Sequence, residues 1–145
     1  MTKSPESLVA PGRELIADLV DRLINARVRY DIGEFGELFA DDVSITIIGD
    51  PLSIYPFPNH RVGKAAVLDL IAGLASVFDY LDCEILDVMI DGERAVVLRR
   101  VHIVHRGSNR SGRVHLTDWI RFRDGKVVDV VQLNENAALA NVLGG

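Results

Sequence analysis

The second half of the chain constrains the fold most. Four stretches rich in β-branched residues follow one another there, at residues 81–90, 93–106, 113–123 and 126–133. Only Asp91-Gly92, the segment 106–112 (RGSNRSG) and Asp124-Gly125 separate them. Asp-Gly pairs take up the positive-φ conformations of two-residue hairpin turns. Parallel neighbours need a crossover of about a dozen residues or more, which these connections cannot supply. The four strands are therefore expected as an antiparallel meander.

The first half reads differently. Pro11 suits a first helical turn, and residues 1–10 are expected as a loose tail. Leu15, Ile16, Leu19, Val20, Leu23 and Ile24 recur at helical spacing and predict a helix to about Tyr30. Asp31 can cap a short second helix that carries Phe35, Leu38 and Phe39 and ends at Asp41-Asp42. Residues 43–49 read as a strand, and the three prolines of 50–63 mark a loop. Val67, Ile71, Leu74 and Phe78 define a third helix, and residues 136–143 a short closing one. Helices grouped ahead of an antiparallel sheet predict a single α+β domain over 1–145, with a curved, cone-shaped sheet wrapped around three helices. Such a cone leaves a pocket at its open end.

Charge and cysteine use narrow the function. Sixteen Lys and Arg stand against 21 Asp and Glu, a formal net charge of −5, which disfavours nucleic acid as a partner. The one cysteine, Cys83, can form neither an internal disulfide nor a cysteine-type zinc site. His102 and His105 would point to opposite faces of a strand, and no glycine-rich phosphate loop is present. No metal, nucleotide or other cofactor is expected. No stretch is apolar for the ~20 residues of a membrane span or resembles a signal peptide, so a cytoplasmic location is the default expectation.

Candidate site residues follow from strand alternation. Val114, Leu116, Asp118, Ile120 and Phe122 share one face of the third meander strand. That face is apolar except for Asp118, and a lone buried carboxylate costs several kcal/mol unless paired or neutralised. A hairpin centred near Asn109 or Arg110 sets Asp118 opposite Arg100 or His102, so these two are expected inside with it. A one-residue slip would turn both outward. On the last strand, a two-residue turn at Asp124-Gly125 sets Val131 opposite Asp118. A three-residue loop sets Val130 there, with Gln132 beside it and Asn134 beyond. Phe78 from the third helix should line the same cavity, with Tyr55 of the proline-rich loop at its mouth. The opposite sheet face carries Trp119, Val131 and Leu133, an apolar patch that predicts a two-fold dimer.

Three local sequences carry a resemblance: Phe35-Gly-Glu-Leu-Phe-Ala-Asp-Asp-Val43, Pro56-Phe-Pro-Asn-His-Arg-Val-Gly63 and Asp118-Trp-Ile-Arg-Phe-Arg-Asp-Gly-Lys-Val127. With the element order, they resemble the nuclear transport factor 2-like superfamily. Within it they look like the SnoaL-like group of polyketide cyclases, ketosteroid isomerase and limonene epoxide hydrolase. The resemblance implies the α+β roll and the Val130 choice of register. It puts Asp118 where ketosteroid isomerase keeps a protonated aspartic acid. Gln132 falls where the epoxide hydrolase has an aspartate, and Arg100 and His102 fall near that enzyme's Arg-x-Asp pair. The isomerase's general base and tyrosine have no counterpart, since Ile47, Ile48 and Ala26 stand near their places. The expected function is a small cofactor-independent enzyme acting on an apolar molecule by acid/base chemistry: isomerisation, cyclisation or hydrolysis. Asp118, His102 and Arg100 would be catalytic. Gln132, Asn134, Tyr55, Leu116, Ile120, Val130 and Phe78 would bind substrate. The alternative is a non-catalytic protein holding a hydrophobic ligand in the same pocket.

Overall fold

A computed structural model describes residues 5–49 and 59–144, with side chains from residue 12 onward. Among them are four helices and six strands. In chain order these are α1 (Pro5–Arg29), α2 (Ile32–Leu38), β1 (Phe39–Ile48), β2 (His60–Val62), α3 (Lys64–Val77), β3 (Phe78–Asp91), β4 (Arg94–His105), β5 (Ser111–Arg123), β6 (Lys126–Asn134) and α4 (Asn136–Leu143). Helix α1 starts at Pro5, ahead of the expected Pro11. The Asp31 side chain caps α2 by accepting from Glu34 N–H. The helix stops at Leu38 because Phe39 is already extended, so the strand begins there and takes in Asp41 and Asp42.

The sheet order is β2-β1-β6-β5-β4-β3. From β3 to β6 the strands form the expected antiparallel meander. One pairing departs from that pattern: β1 runs parallel to β6, with α3 and the other strands supplying the long connection such a pair needs. Register shifts at Tyr80/Asp82 and Ile85/Asp87 in β3, and at Arg121/Phe122 beside β6, bend the sheet. Its concave face covers the helices. Ile16, Leu19, Val20, Leu23 and Ile24 of α1 and Val67, Leu70 and Ile71 of α3 are buried against Val97, Ile120 and Val130 of the sheet. Leu15, counted with that helical stripe, is instead exposed. A smaller cluster packs Leu139 and Val142 of α4 on Phe78, Val101 and Val114. Among the described residues, no helix is long and apolar enough to cross a membrane.

Turn chemistry sets the register that matters for the site. Asp124 and Gly125 have φ of 52° and 74°, so the β5–β6 turn has two residues with positive φ at both. Arg123 pairs with Lys126, and Phe122 with Val127. A bulge in β6 then advances the register, and Arg121 pairs with Asp129. Val127 and Val128 are both buried as a result, and Gln132 is the residue opposite Asp118. This corrects the expected Val130: the extra residue lies in the strand and not in the turn. The structure makes the turn testable. Gly125→Ala should destabilise the protein by roughly 1–2 kcal/mol, the cost of a left-handed conformation with a Cβ, read as a lower urea midpoint at unchanged m-value.

Candidate active site

Asp118 sits on the concave face of β5, between Leu116 and Ile120, and is 4% exposed. Its partner is Arg99 of β4, itself 1% exposed. Arg99 Nε donates to Asp118 Oδ2 at 2.5 Å, and Nη2 donates to Oδ1 at 3.3 Å. Both carboxylate oxygens therefore accept from one guanidinium, a fork geometry that an arginine supplies and a lysine cannot. Burial alone would push the Arg99 pKa down. The adjacent Asp118 charge and its hydrogen bonds outweigh burial, so the net shift is upward. Arg99 Nη1 is buried with no hydrogen-bond partner.

The pairing corrects the expected one. His105 N–H donates to Arg110 O at 2.8 Å, which closes a four-residue loop over 106–109. That loop is centred earlier than Asn109, so Asp118 lies opposite Val97 and Arg99 opposite Leu116. The difference in register is odd, so it exchanges the two faces of β4. Val97, Arg99, Val101 and Ile103 point inward. Arg100 and His102 are on the convex face, where Arg100 Nη2 donates to Glu84 Oε2 at 2.6 Å. His102 lies between Asp82 of β3 and Arg113 of β5 in the strand register. Neither reaches Asp118 from there.

Two small cavities lie under the sheet, each of about 20 Å³, room for about one water. The deeper is lined by Arg99, Asp118, Gln132, Val130 and Arg27. The other is lined by Phe78, Leu116, Gln132, Asn134, Tyr80 and Arg27. Gln132, 6% exposed, thus borders both, and its Nε2 donates to Asn134 Oδ1 at 3.1 Å. Asn134 Nδ2 in turn donates to Gly49 O at 2.8 Å, which ties the end of β6 to the end of β1. Ile120 is buried within the main core. Tyr55 lies outside the described residues. Helix α4 is anchored beside the cavities by Glu135, whose Oε1 accepts from His115 N–H at 3.2 Å. These contacts lower the Glu135 pKa.

Arg99, Arg27 and Tyr80 escape the strand and loop reading. Both faces of β4 are apolar around residue 99, so alternation alone does not choose between Arg99 and Arg100. Arg27 had a readable signal: it continues the α1 stripe, four residues after Leu23 and three after Ile24. Among the described residues, no three or more His, Cys, Asp or Glu side chains are grouped to hold a metal ion.

The family model described as the SnoaL-like domain matches residues 20–130, a span that holds Arg27, Arg99, Asp118 and Val130. The chain belongs to the SnoaL-like domain family. Solved structures agree on the fold. A proposed isomerase from Rhodopseudomonas palustris is 23% identical, with all of both chains covered and a TM-score of 0.73. IdmH, a proposed polyketide cyclase from Streptomyces antibioticus, is 20% identical over 90% of this chain and 99% of its own, at a TM-score of 0.72. An LEH-like epoxide hydrolase from M. tuberculosis is 13% identical over 91% of this chain and 92% of its own, also at 0.72. No curated protein matches by sequence. In this SnoaL-like domain the buried Arg99–Asp118 pair can be tested for its structural role. Asp118→Asn should cost about 3–5 kcal/mol, because it leaves a buried guanidinium uncompensated. The double variant Arg99→Met/Asp118→Leu should return to wild-type stability or exceed it, since apolar side chains of similar volume replace such pairs well. Urea unfolding of the single and double variants measures both.

Proposed function

We propose that this SnoaL-like domain is a small-molecule enzyme working by acid/base chemistry at the inner end of the cone, with Asp118 as the proton-accepting carboxylate. The observation that supports this most is the Arg99–Asp118 pair itself. An ion pair buried among Val97, Leu116 and Ile120 is a poor stabiliser compared with the apolar residues around it. Its placement beside a cavity, with one guanidinium N–H unpaired and the Gln132 amide across the strand pair, suits chemistry better than packing. A carboxylate oxygen that accepts one hydrogen bond keeps a second lone pair for a proton.

In this reading Asp118 removes a proton from a carbon beside a carbonyl, or from water. Arg99 holds the carboxylate in place and, through Nη1–H, stabilises negative charge that develops on the substrate oxygen. The two one-water cavities must widen on binding; Gln132 and Asn134 then orient the substrate, while Leu116, Val130 and Phe78 give the apolar walls. His102 and Arg100 have no part in it, since both lie on the other face of the sheet. Such proton transfer serves isomerisation and cyclisation directly and hydrolysis through an activated water. No step in it calls on a cofactor.

Deuterium exchange at the α-carbons of cyclic enones and 1,3-diketones, followed by NMR in D2O, tests the reading. The wild-type protein should accelerate exchange, and Arg99→Met/Asp118→Leu should lose about 10²–10⁴-fold of the acceleration, the usual worth of a positioned base. Ligands that bind while exchange stays at the buffer rate would instead make the domain a binding protein.

We also propose that a second copy covers the convex sheet face. Met89, Val96, Trp119 and Val131 stand in one register row across β3 to β6, and Leu98, Thr117 and Leu133 in the next. Trp119 is 56% exposed. Arg94, Arg121 and Asp129 border this apolar band on one side, Glu84, Arg100 and His115 on the other. Each border carries both charge signs, so a two-fold mate can set opposite charges against each other. Light scattering at micromolar concentration should give twice the chain mass, and Trp119→Glu should move it towards the monomer. A wild-type mass equal to one chain, unchanged on dilution, overturns the dimer.

A further inference from the structure

Arg27 is the buried charge that the chemistry above does not use. It is 7% exposed, and its partner is neutral: Nη2 donates to Tyr80 Oη at 2.7 Å, with the guanidinium 5.1 Å from the same ring's centre. Arg99 has Asp118, but among the described residues Arg27 has no carboxylate within ion-pair distance. A buried cation without a counter-ion is costly, and removing one usually stabilises a fold. The basic residues Arg27 and Arg29 in the last turn of α1 do suit the helix dipole, but an exposed side chain would serve that equally well.

Position gives the charge a purpose. Arg27 borders both inner cavities and also an open cleft of about 430 Å³ between the end of α1, α3 and the start of β3. That volume lies within the range of small-molecule sites. Val28, Ala72, Ala75 and Phe78 give it apolar walls. Among the described residues, Arg27, Arg29 and Arg106 line it against one carboxylate, Asp79, which Arg106 already engages. The cleft is thus net positive in a chain of net charge −5, and such a concave patch concentrates anions.

We infer that Arg27 and the Tyr80 hydroxyl form an oxyanion-binding neck, which takes the carboxylate or enolate oxygen of a small apolar organic acid whose body lies in the cleft. The inference builds on the proposed function, because it makes the substrate an acid held at the entrance to the Asp118 cavity. Its test measures binding and stability and no turnover, so it stands or falls separately from the exchange assay. Entry past the neck requires the Arg27–Tyr80 hydrogen bond to open, and the ligand's oxyanion replaces the phenol as the guanidinium's partner.

The probes are 2-naphthoate, its uncharged methyl ester and a cyclic 1,3-diketone as its enolate, titrated by protein NMR and fluorescence. Wild-type protein should bind 2-naphthoate at least ten-fold more tightly than the ester, with the largest shifts at Arg27, Tyr80 and Ala75. Arg27→Met should lose that ten-fold preference, while Arg27→Lys should retain part of it. The diketone arm separates enolate from carboxylate recognition, and preference for either anion over the ester supports the neck. Arg27→Met should also unfold at the same urea concentration as wild type or higher, whereas a purely structural Arg27 would make it less stable. Affinity for both anions no greater than for the ester, no binding of either anion at millimolar concentration, undiminished binding of the preferred anion by Arg27→Met, or a lower urea midpoint of that variant would each overturn the inference.

Discussion

The hydrogen-bonded pair of Arg99 and Asp118 is the constraint on which the interior depends. Asp118 faces inward by the alternation of β5, and Arg99 faces it because β4 and β5 are joined by a four-residue loop that sets Asp118 opposite Val97. Slipping β4 by one residue would turn Arg99 outward and bring Arg100 and His102 under the sheet. Register and ion pair thus support one another. The pair adds little net stability, yet breaking either half is severe.

Around this pair the concave face is graded in polarity. The end of the sheet near α2 and the β5–β6 turn is filled by Phe35, Phe39, Phe122 and Val127, all at most 2% exposed. Towards the middle come Arg99, Asp118 and Gln132, and beyond them the chain Gln132–Asn134–Gly49 that joins β6 to β1. Arg27 and Tyr80 stand between these buried groups and the open cleft. Polar groups therefore converge from α1, β3, β4, β5 and β6, five elements that sequence separation would not bring together. The SnoaL-like domain supplies this cone, but the fold alone names no reaction, because one fold hosts many chemistries. On it this chain sets a carboxylate on β5, an amide opposite it on β6, and two buried arginines.

The two sheet faces divide the labour. Inward positions form the apolar core and the buried polar site. Outward positions carry ion pairs such as Arg100–Glu84 and Arg123–Asp42 around an uncovered apolar band. The bulge in β6 serves both faces at once. It buries two consecutive valines and, by shifting everything after them, turns Gln132 to the site and Val131 to the band beside Trp119.

Much of the architecture was legible in the chain, because it rests on local chemistry. Apolar spacing marks α3 and the body of α1, whose start at Pro5 lies ahead of the expected Pro11, and Asp31 caps α2. Asp124-Gly125 forms the β5–β6 turn, whereas the β3–β4 turn is Gly92-Glu93, one residue past the expected Asp91-Gly92. Alternation along β5 places Asp118 inside, since every neighbour on that face is apolar. The parallel β1–β6 pair and the three-residue strand β2 were not legible, as neither has a local signature. Nor was the identity of the Asp118 partner. Residues 96–104 are apolar in both phases, so the face of each is chosen by how many residues the 106–109 loop keeps out of the ladder. Arg106-Gly-Ser-Asn offers no Asp-Gly signal to fix that number. Sequence alone therefore determined every element but β2, their order and the buried carboxylate. Tertiary structure decided which arginine meets it, because strand register is a count of backbone hydrogen bonds across the sheet, and one residue more or less in a loop exchanges inside for outside.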